Sequence, residues 1–288
     1  MFAICPLSSI PVRALPSNSA EMTTQILFGE VVEVIKTVRR LDALNAGWTN
    51  IRCQWDGYMG WVTTKQLQML DKTFELTSEG AICYEIMSPC MNGEYSIPIT
   101  MGATLPYFDG ISFKIGTQQY TYSGQAIYPN RLSANSTLLL KIARRYLYAP
   151  YLWGGRSPFG IDCSGLAQIC YKMIGINLPR DASQQAEIGE TIDFITETQA
   201  GDLAYFESPA GRITHVGILM GDGNIIHASG QVRINKIDHY GIYNAQLKKY
   251  SHTLRVIKRV LSKEELIETQ VISKEESTET IANQILMF

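Results

Sequence analysis

The sequence lacks the signatures of several protein classes. No C-x-x-C pair occurs among its six cysteines (Cys5, Cys53, Cys83, Cys90, Cys163 and Cys170), and the four histidines (His215, His227, His239 and His252) lie far from the first four of them. Clustered Cys and His at zinc spacing are therefore missing, and neither a metal nor another cofactor is expected. A chain of 288 residues can bury a core without covalent staples, so the cysteines do not read as a disulfide framework. An excess of one charge is also missing: 25 Lys+Arg face 27 Asp+Glu, a net of 25 − 27 = −2. That balance gives no electrostatic footing for nucleic acid as a partner. No apolar run approaches the ~18 residues of a membrane-spanning helix. Lys and Arg are absent before Arg13, and Pro6 and Pro11 interrupt the first apolar stretch, so a secretory leader is not expected. The reading is a cytoplasmic chain without a membrane span.

What is present suits a folded protein, with 45% apolar and 18% charged residues. The first 130 residues read as short strands, β-branched or aromatic and punctuated by Gly, Pro, Asn and Asp: Phe2 to Cys5, Ile26 to Phe28, Val31 to Ile35, Trp48 to Cys53 and Gly60 to Val62. A looser set follows in Ile82 to Ile86, Ile97 to Ile99, Thr104 to Phe108, Ser112 to Ile115 and Gln119 to Tyr122. Breaks near 71–75 and 129–134 predict two five-stranded barrels in tandem, over 1–72 and 73–130. The texture then changes. Leu139, Ile142, Ala143 and Tyr146 recur at helical spacing from Ser136, and Leu166, Ile169, Cys170 and Met173 do so from Cys163 to a stop at Gly175. Strands return at Asp202 to Phe206, Ile213 to Met220, Asn224 to Ala228 and Leu254 to Arg259. Helices followed by an antiparallel sheet predict an α+β domain over 131–261. An acidic tail, 262–288, is left without a function.

Asp162-Cys163-Ser164-Gly165 is the focal point. Gly154, Gly155, Pro158 and Gly160 form a loop that delivers the chain to a helix start. Asp162 reads as the N-cap, which puts Cys163 on the first turn, where unpaired N–H groups and the helix dipole favour a thiolate. A lone cysteine at such a place is more often a small core residue, and Cys170, two turns on in the apolar stripe, has that reading. His215 changes the balance for Cys163. If Gly221-Asp222-Gly223 is a three-residue loop, Met220 pairs with Asn224 and Gly217 falls opposite His227. The two imidazoles then project from one face as diagonal neighbours, with room left by Gly217. An even-length loop would send them to opposite faces. A cysteine, a base and an orienting group is the composition of a covalent catalyst: Cys163 attacks, His215 takes or holds its proton, and His227 fixes the ring of His215. The Cys163 N–H would hold an oxyanion, with Tyr151 nearby. His239 and His252 fit no motif and read as solvent-facing or packing residues. Trp153 reads as a core aromatic and Asp202 as a turn cap. Arg180 reads equally as a helix-start salt bridge or a ligand contact.

Six motifs occur in one order: Tyr151-Leu-Trp-Gly-Gly, Asp162-Cys-Ser-Gly, Leu178-Pro-Arg-Asp-Ala-Ser-Gln-Gln, Gly201-Asp-Leu, His215-Val-Gly-Ile and Ile226-His-Ala. In this the chain resembles the NlpC/P60 cysteine peptidases, which have a papain-like catalytic domain. Pro11 to Ser17 and Gln25 to Glu30 resemble bacterial SH3-like domains. Together, over residues 1–260, they resemble the γ-D-glutamyl–L-diamino-acid endopeptidases of cell-wall peptide recycling. The resemblance implies Cys163 as nucleophile, His215 as base and His227 as third member. It also implies substrate contacts from Tyr151, Asp162, Ser164, Arg180 and Ser183, and from Tyr58 in the first barrel. The implied partner is a short murein peptide with a free N-terminal L-alanine. An N-acetylmuramoyl-peptide amidase and a non-catalytic peptidoglycan-binding adaptor are the competing readings.

Overall fold

A computed structural model describes residues 1–38, 47–71, 80–245 and 247–261. The acidic tail anticipated at 262–288 lies outside the described residues. The chain divides into two units. Among the described residues, the front unit holds Met1–Arg131 and takes in Trp153–Pro158, while Leu132–Leu152 and the described chain from Phe159 to Leu261 form the second.

The front unit is built of strands, as its composition predicts, but among the described residues each of its two groups has seven strands rather than five. The first comprises β1 (Phe2–Ile4), β2 (Ser9–Arg13), β3 (Met22–Leu27), β4 (Val31–Val38), β5 (Trp48–Cys53), β6 (Met59–Thr63) and β7 (Gln68–Met69). They form one antiparallel sheet in the order β3-β2-β6-β5-β4-β1-β7. The second comprises β8 (Ala81–Cys83), β9 (Met87–Asn92), β10 (Tyr95–Thr100), β11 (Thr104–Leu105), β12 (Ser112–Ile115), β13 (Gln118–Tyr122) and β14 (Ala126–Ile127), split between a four-stranded and a three-stranded sheet. Strands β2, β7, β9 and β14 are additional to the sequence reading, and two of them, β2 and β9, carry a proline, Pro11 and Pro89, a residue that argues against a strand interior. Pro11 is tolerated because β2 pairs along its length with β3 and meets β6 only at Arg13 and Trp61.

Alternation along these strands buries Ile10, Val12, Ile26, Val32, Ile51 and Val62 in one core, while Phe113, Tyr120, Tyr122 and Phe108 dominate a second, which Ile4 and Phe28 also enter. A buried ion pair lies in the same unit. Glu30 receives both terminal nitrogens of Arg156, at 2.7 and 3.0 Å, and the Leu27 N–H at 2.8 Å. Arg156 also donates to the Gln25 carbonyl at 2.8 Å and lies over the Trp55 ring. Two charges this dry persist because each pairs with the other and with neighbouring backbone groups, although the Arg156 Nε–H has no hydrogen-bond partner.

The second unit begins with helix α1 (Ser136–Arg145), capped by the Asn135 side chain accepting from the Leu138 N–H at 2.8 Å. After β15 (Arg156–Ser157), which belongs to the front unit, the short strand β16 (Gly160–Ile161) precedes α2 (Cys163–Lys172). Asp162 caps α2 as its sequence position predicts, accepting from the Gly165 N–H at 2.7 Å. The helix stops at Gly175, whose φ of 89° turns the chain so that the Ile176 N–H reaches the Tyr171 carbonyl. Every residue of α2 is buried. It is a central helix packed on α1 on one side and on the sheet on the other, not a surface helix with one apolar stripe.

After α3 (Ala182–Gln185) and β17 (Glu190–Ile192), six strands follow: β18 (Leu203–Glu207), β19 (Ile213–Leu219), β20 (Asn224–Ser229), β21 (Gln231–Asp238), β22 (Gly241–Asn244) and β23 (Lys249–Arg259). The order is β17-β23-β18-β19-β20-β21-β22, and β22 also pairs with β23. The sheet therefore closes on itself as a six-stranded barrel, which removes its free edges. Ala204, Phe206, Leu219, Ile225, Ile237, Ile242 and Ile257 fill its core. The expected hairpin register is present: Ile218 pairs with Ile226 and Leu219 with Ile225, and the Met220 N–H bonds the Asn224 carbonyl. No helix among the described residues is long and apolar enough to cross a membrane.

Candidate active site

The register fixes the face on which the two histidines meet. His215 lies opposite Phe206 on β18, and so shares the face of Gly217 and Leu219. Continuing the β19–β20 ladder by one pair brings Gly217 opposite His227. A side chain at 217 would stand 3.0 Å from the His227 Cβ and 2.6 Å from Ile225 Cδ1, so only glycine leaves the space into which the imidazole folds. The rings meet at 84° with His215 Nε2 2.8 Å from His227 Nδ1. His227 Nε2 in turn lies 3.1 Å from Asn235 Oδ1 on β21. Burial lowers both imidazoles, His215 well below its usual range with further repulsion from His227 and His252, and His227 to about 4. Both rings are therefore neutral at neutral pH.

Cys163 sits on the first turn of α2, 8% exposed. Its thiol takes backbone N–H groups from Val216, the residue after His215, and from Ser164. The nucleophile candidate is thus held against the strand that carries the candidate base. The helix start favours a thiolate, and the dry surroundings oppose it. Burial, with the Asp162 carboxylate adding to it, pushes the thiol up to about 11, and the backbone donors and Arg180 only partly offset that rise. The helix N-terminus is positive, as its position implies, but the site is too dry for that to ionise sulfur unaided.

Around the cysteine the structure gathers most of the residues anticipated at the site. Arg180, 2% exposed, forks onto Asp162 with distances of 2.6 Å to Oδ2 and 3.1 Å to Oδ1, and donates to Ser164 Oγ at 2.8 Å. Of the two readings of Arg180, the ion pair is therefore present, although it reaches the cap of α2 rather than the start of α3. Tyr151 bridges to Ile161 beside this cluster and is partly open to solvent. Burial and the nearby Cys163 and Asp162 raise its phenol to about 12, so it is a proton donor. Ser183 lies exposed on α3. Tyr58 belongs to the front unit, half-buried in the turn between β5 and β6 with its N–H on Asp56. Asp202 caps its turn, accepting from the Gln199 N–H, and also pairs with Arg259. Trp153 does not pack as expected: it is 59% exposed and its indole donates to Glu21 in the front unit at 2.6 Å.

Two residues were missed. His252, on β23, stacks on His215 with centroids 4.2 Å apart and the planes 26° from parallel. Asn235 ends the chain of imidazole contacts. Neither stands in a recognisable motif: Asn235 reaches His227 across the β20–β21 pairing, and His252 reaches His215 from β23, which pairs with β18 beside β19. Gln185 also contributes, donating to the Ser164 carbonyl at 3.1 Å and the Pro179 carbonyl at 2.8 Å, which ties the segment bearing Arg180 to α2. Among the described residues no group of three His, Cys, Asp or Glu side chains is placed to hold a metal ion.

A buried cysteine on a central helix, laid against a barrel strand with two linked imidazoles, defines the class of cysteine-type peptidase hydrolases with a papain-like arrangement. The chain belongs to the NlpC/P60 family: the family model matches residues 148–254, and the bacterial dipeptidyl-peptidase SH3 domain matches residues 12–67. It is 31% identical over 236 residues to a gamma-D-glutamyl-L-lysine dipeptidyl-peptidase of Bacillus cereus, covering 74% of this chain and 68% of that one. A Bacillus subtilis protein of the same name is 30% identical over 222 residues, 71% of each chain. The crystal structure of an NlpC/P60 family protein from Bacillus cereus has the same fold, with a TM-score of 0.74 at 22% identity over 91% of this chain and all of that one.

Proposed function

We propose that this peptidase hydrolyses the bond between γ-D-glutamate and a diamino acid in short cell-wall peptides that carry a free N-terminal L-alanine. The observation that carries the reading is the His215–His227 contact on the strand that also donates the Val216 N–H to Cys163. The names of the two Bacillus relatives supply the bond and the substrate class.

Neutral thiol and neutral imidazole make His215 a general base rather than half of a standing ion pair. His215 Nε2 is engaged by His227, which leaves Nδ1 for the thiol proton. As sulfur bonds to the γ-carbonyl carbon, the proton passes to Nδ1 and the carbonyl oxygen becomes an oxyanion facing the Cys163 N–H. Collapse of this intermediate breaks the C–N bond, and the amine of the diamino acid leaves with the proton from His215. Water, deprotonated by the same nitrogen, attacks the thioester and returns the thiol. Asp162, Ser164, Arg180 and Ser183 line the side that receives the free amine. Asp162 supplies the negative charge there, and Arg180 holds its carboxylate in place. The remainder of the chain is assigned as SH3-like modules over 1–72 and 73–130 ahead of a catalytic domain over 131–261.

The test is mass spectrometry of digests of L-Ala-γ-D-Glu-L-Lys and of its N-acetylated form. Cleavage between glutamate and lysine in the free peptide alone supports the proposal. Equal cleavage of both peptides removes the amine requirement, and intact free peptide removes the substrate.

A further inference from the structure

We propose that Asn235 is a positioning residue that sets the tautomer of both imidazoles, so that the lone pair of His215 faces Cys163. The inference rests on the assignment of His215 as base and deepens it. It starts at the far end of the chain of contacts, where His227 Nε2 lies 3.1 Å from Asn235 Oδ1. An amide oxygen only accepts, so the hydrogen between them is on His227 Nε2. A neutral imidazole carries one ring hydrogen, so His227 Nδ1 is bare. At 2.8 Å from that nitrogen, His215 Nε2 must be the donor. A neutral His215 with its hydrogen on Nε2 has its lone pair on Nδ1, the nitrogen that His227 does not occupy. One carbonyl oxygen two contacts away thus decides which nitrogen can accept the thiol proton.

The topology explains how Asn235 reaches this position. It pairs with Ile225 on β20, and His227 pairs with Arg233, so Asn235 and His227 are diagonal neighbours on one face. An asparagine suits the task better than a stronger acceptor. A carboxylate would hold the same hydrogen but would also draw a proton onto His227, and the desolvated pair is kept neutral. The Asn235 bond is the one contact that favours charge on His227, and it is outweighed by burial.

The full chain, labelled with 15N-histidine, tests this by long-range 15N–1H spectra at neutral pH alongside kcat and KM on L-Ala-γ-D-Glu-L-Lys. In the wild type both His215 and His227 should show Nε2–H tautomers. In Asn235→Leu, His227 should lose its single tautomer, and kcat should fall about ten- to a hundredfold with KM little changed. That is less than the ~10⁴ loss that follows when a wrong tautomer is enforced outright. Asn235→Asp, which accepts but cannot donate, should restore the Nε2–H tautomer and recover most of the lost kcat. A wild-type His227 carrying its hydrogen on Nδ1 overturns the proposal, as does an Asn235→Leu protein with unchanged tautomers and unchanged kcat. If the leucine variant does not fold, the wild-type and Asn235→Asp spectra still decide. The spectra need no substrate, so a wild-type protein that leaves the tripeptide intact defeats the substrate reading and not the relay.

Discussion

All four tryptophans (Trp48, Trp55, Trp61 and Trp153) fall in the front unit, and all four histidines fall in the second. Each unit also contains a buried arginine–carboxylate pair, and the two pairs are used differently. Glu30 and Arg156 are 2% and 0% exposed, and they satisfy each other, the Leu27 N–H and the Gln25 carbonyl. Asp162 and Arg180 are almost as dry, but their surplus bonds go to the Gly165 N–H and to Ser164 Oγ, in the turn of α2 that begins at Cys163. The first pair closes a fold around itself. The second spends the same chemistry on placing a nucleophile and biasing its proton. Burial of a charge pair therefore does not mark function; what the leftover bonds hold does.

Variants can break this comparison, starting with the largest effect. Cys163→Ala should reduce turnover by on the order of 10⁶, while a denaturant titration followed by tryptophan fluorescence leaves the front unit unchanged. Retained cleavage would remove the assignment of the nucleophile. Glu30→Ala should do the converse. Leaving Arg156 buried and unpaired costs about 3–5 kcal/mol, read as an earlier loss of the same fluorescence signal. A shift below about 1 kcal/mol would mean that water reaches the guanidinium.

Acid should separate the units next. Above pH 6.5 His227 is neutral in both folded and unfolded chains. Between 6.5 and about 4 the unfolded chain takes up a proton that the buried ring refuses, so stability falls as pH falls, by up to about 3 kcal/mol from this residue. The front unit has no histidine, and its tryptophan signal should not follow the second unit across that window. His227→Asn should flatten the dependence; an unaltered slope would assign it elsewhere. The smallest effect belongs to His252→Phe, which keeps a ring against His215 and removes a group that lowers its pKa. The acid limb of kcat/KM should move to higher pH by less than about one unit, and a move to lower pH would contradict the stacking partner's role.

Much of the candidate site was legible because it depends on local rules. Asp162 reads as a cap because its side chain meets an N–H three residues on. The His215–His227 diagonal follows from the three residues between Met220 and Asn224 and from the absence of a side chain at Gly217. Asn235 and His252 were not legible, since nothing near them in sequence says in what register β21 pairs with β20, or that β23 pairs with β18 beside β19. The burial that opposes ionisation of Cys163 was not legible for a related reason. A helix start can be read from four letters, but the dryness around it is contributed by α1, β19 and the segment bearing Arg180, which lie far apart in the chain. The strands hidden at Pro11 and Pro89 show the converse: a rule against proline in sheets holds for ladders paired on both sides, and β2 meets β6 at one residue only.

The excursion of Trp153–Pro158 into the front unit also bears on any attempt to shorten the protein. A fragment begun at Leu132 would inherit Arg156 without Glu30 or Gln25, Trp153 without Glu21, and Gly154 with a tight backbone turn that no longer has Met22 to fit against. These orphaned groups would lie on the loop that runs directly into the nucleophile's helix. The border between the halves is not a single cut point, and the enzyme cannot be trimmed to its chemistry without redesigning six residues that belong to its other half.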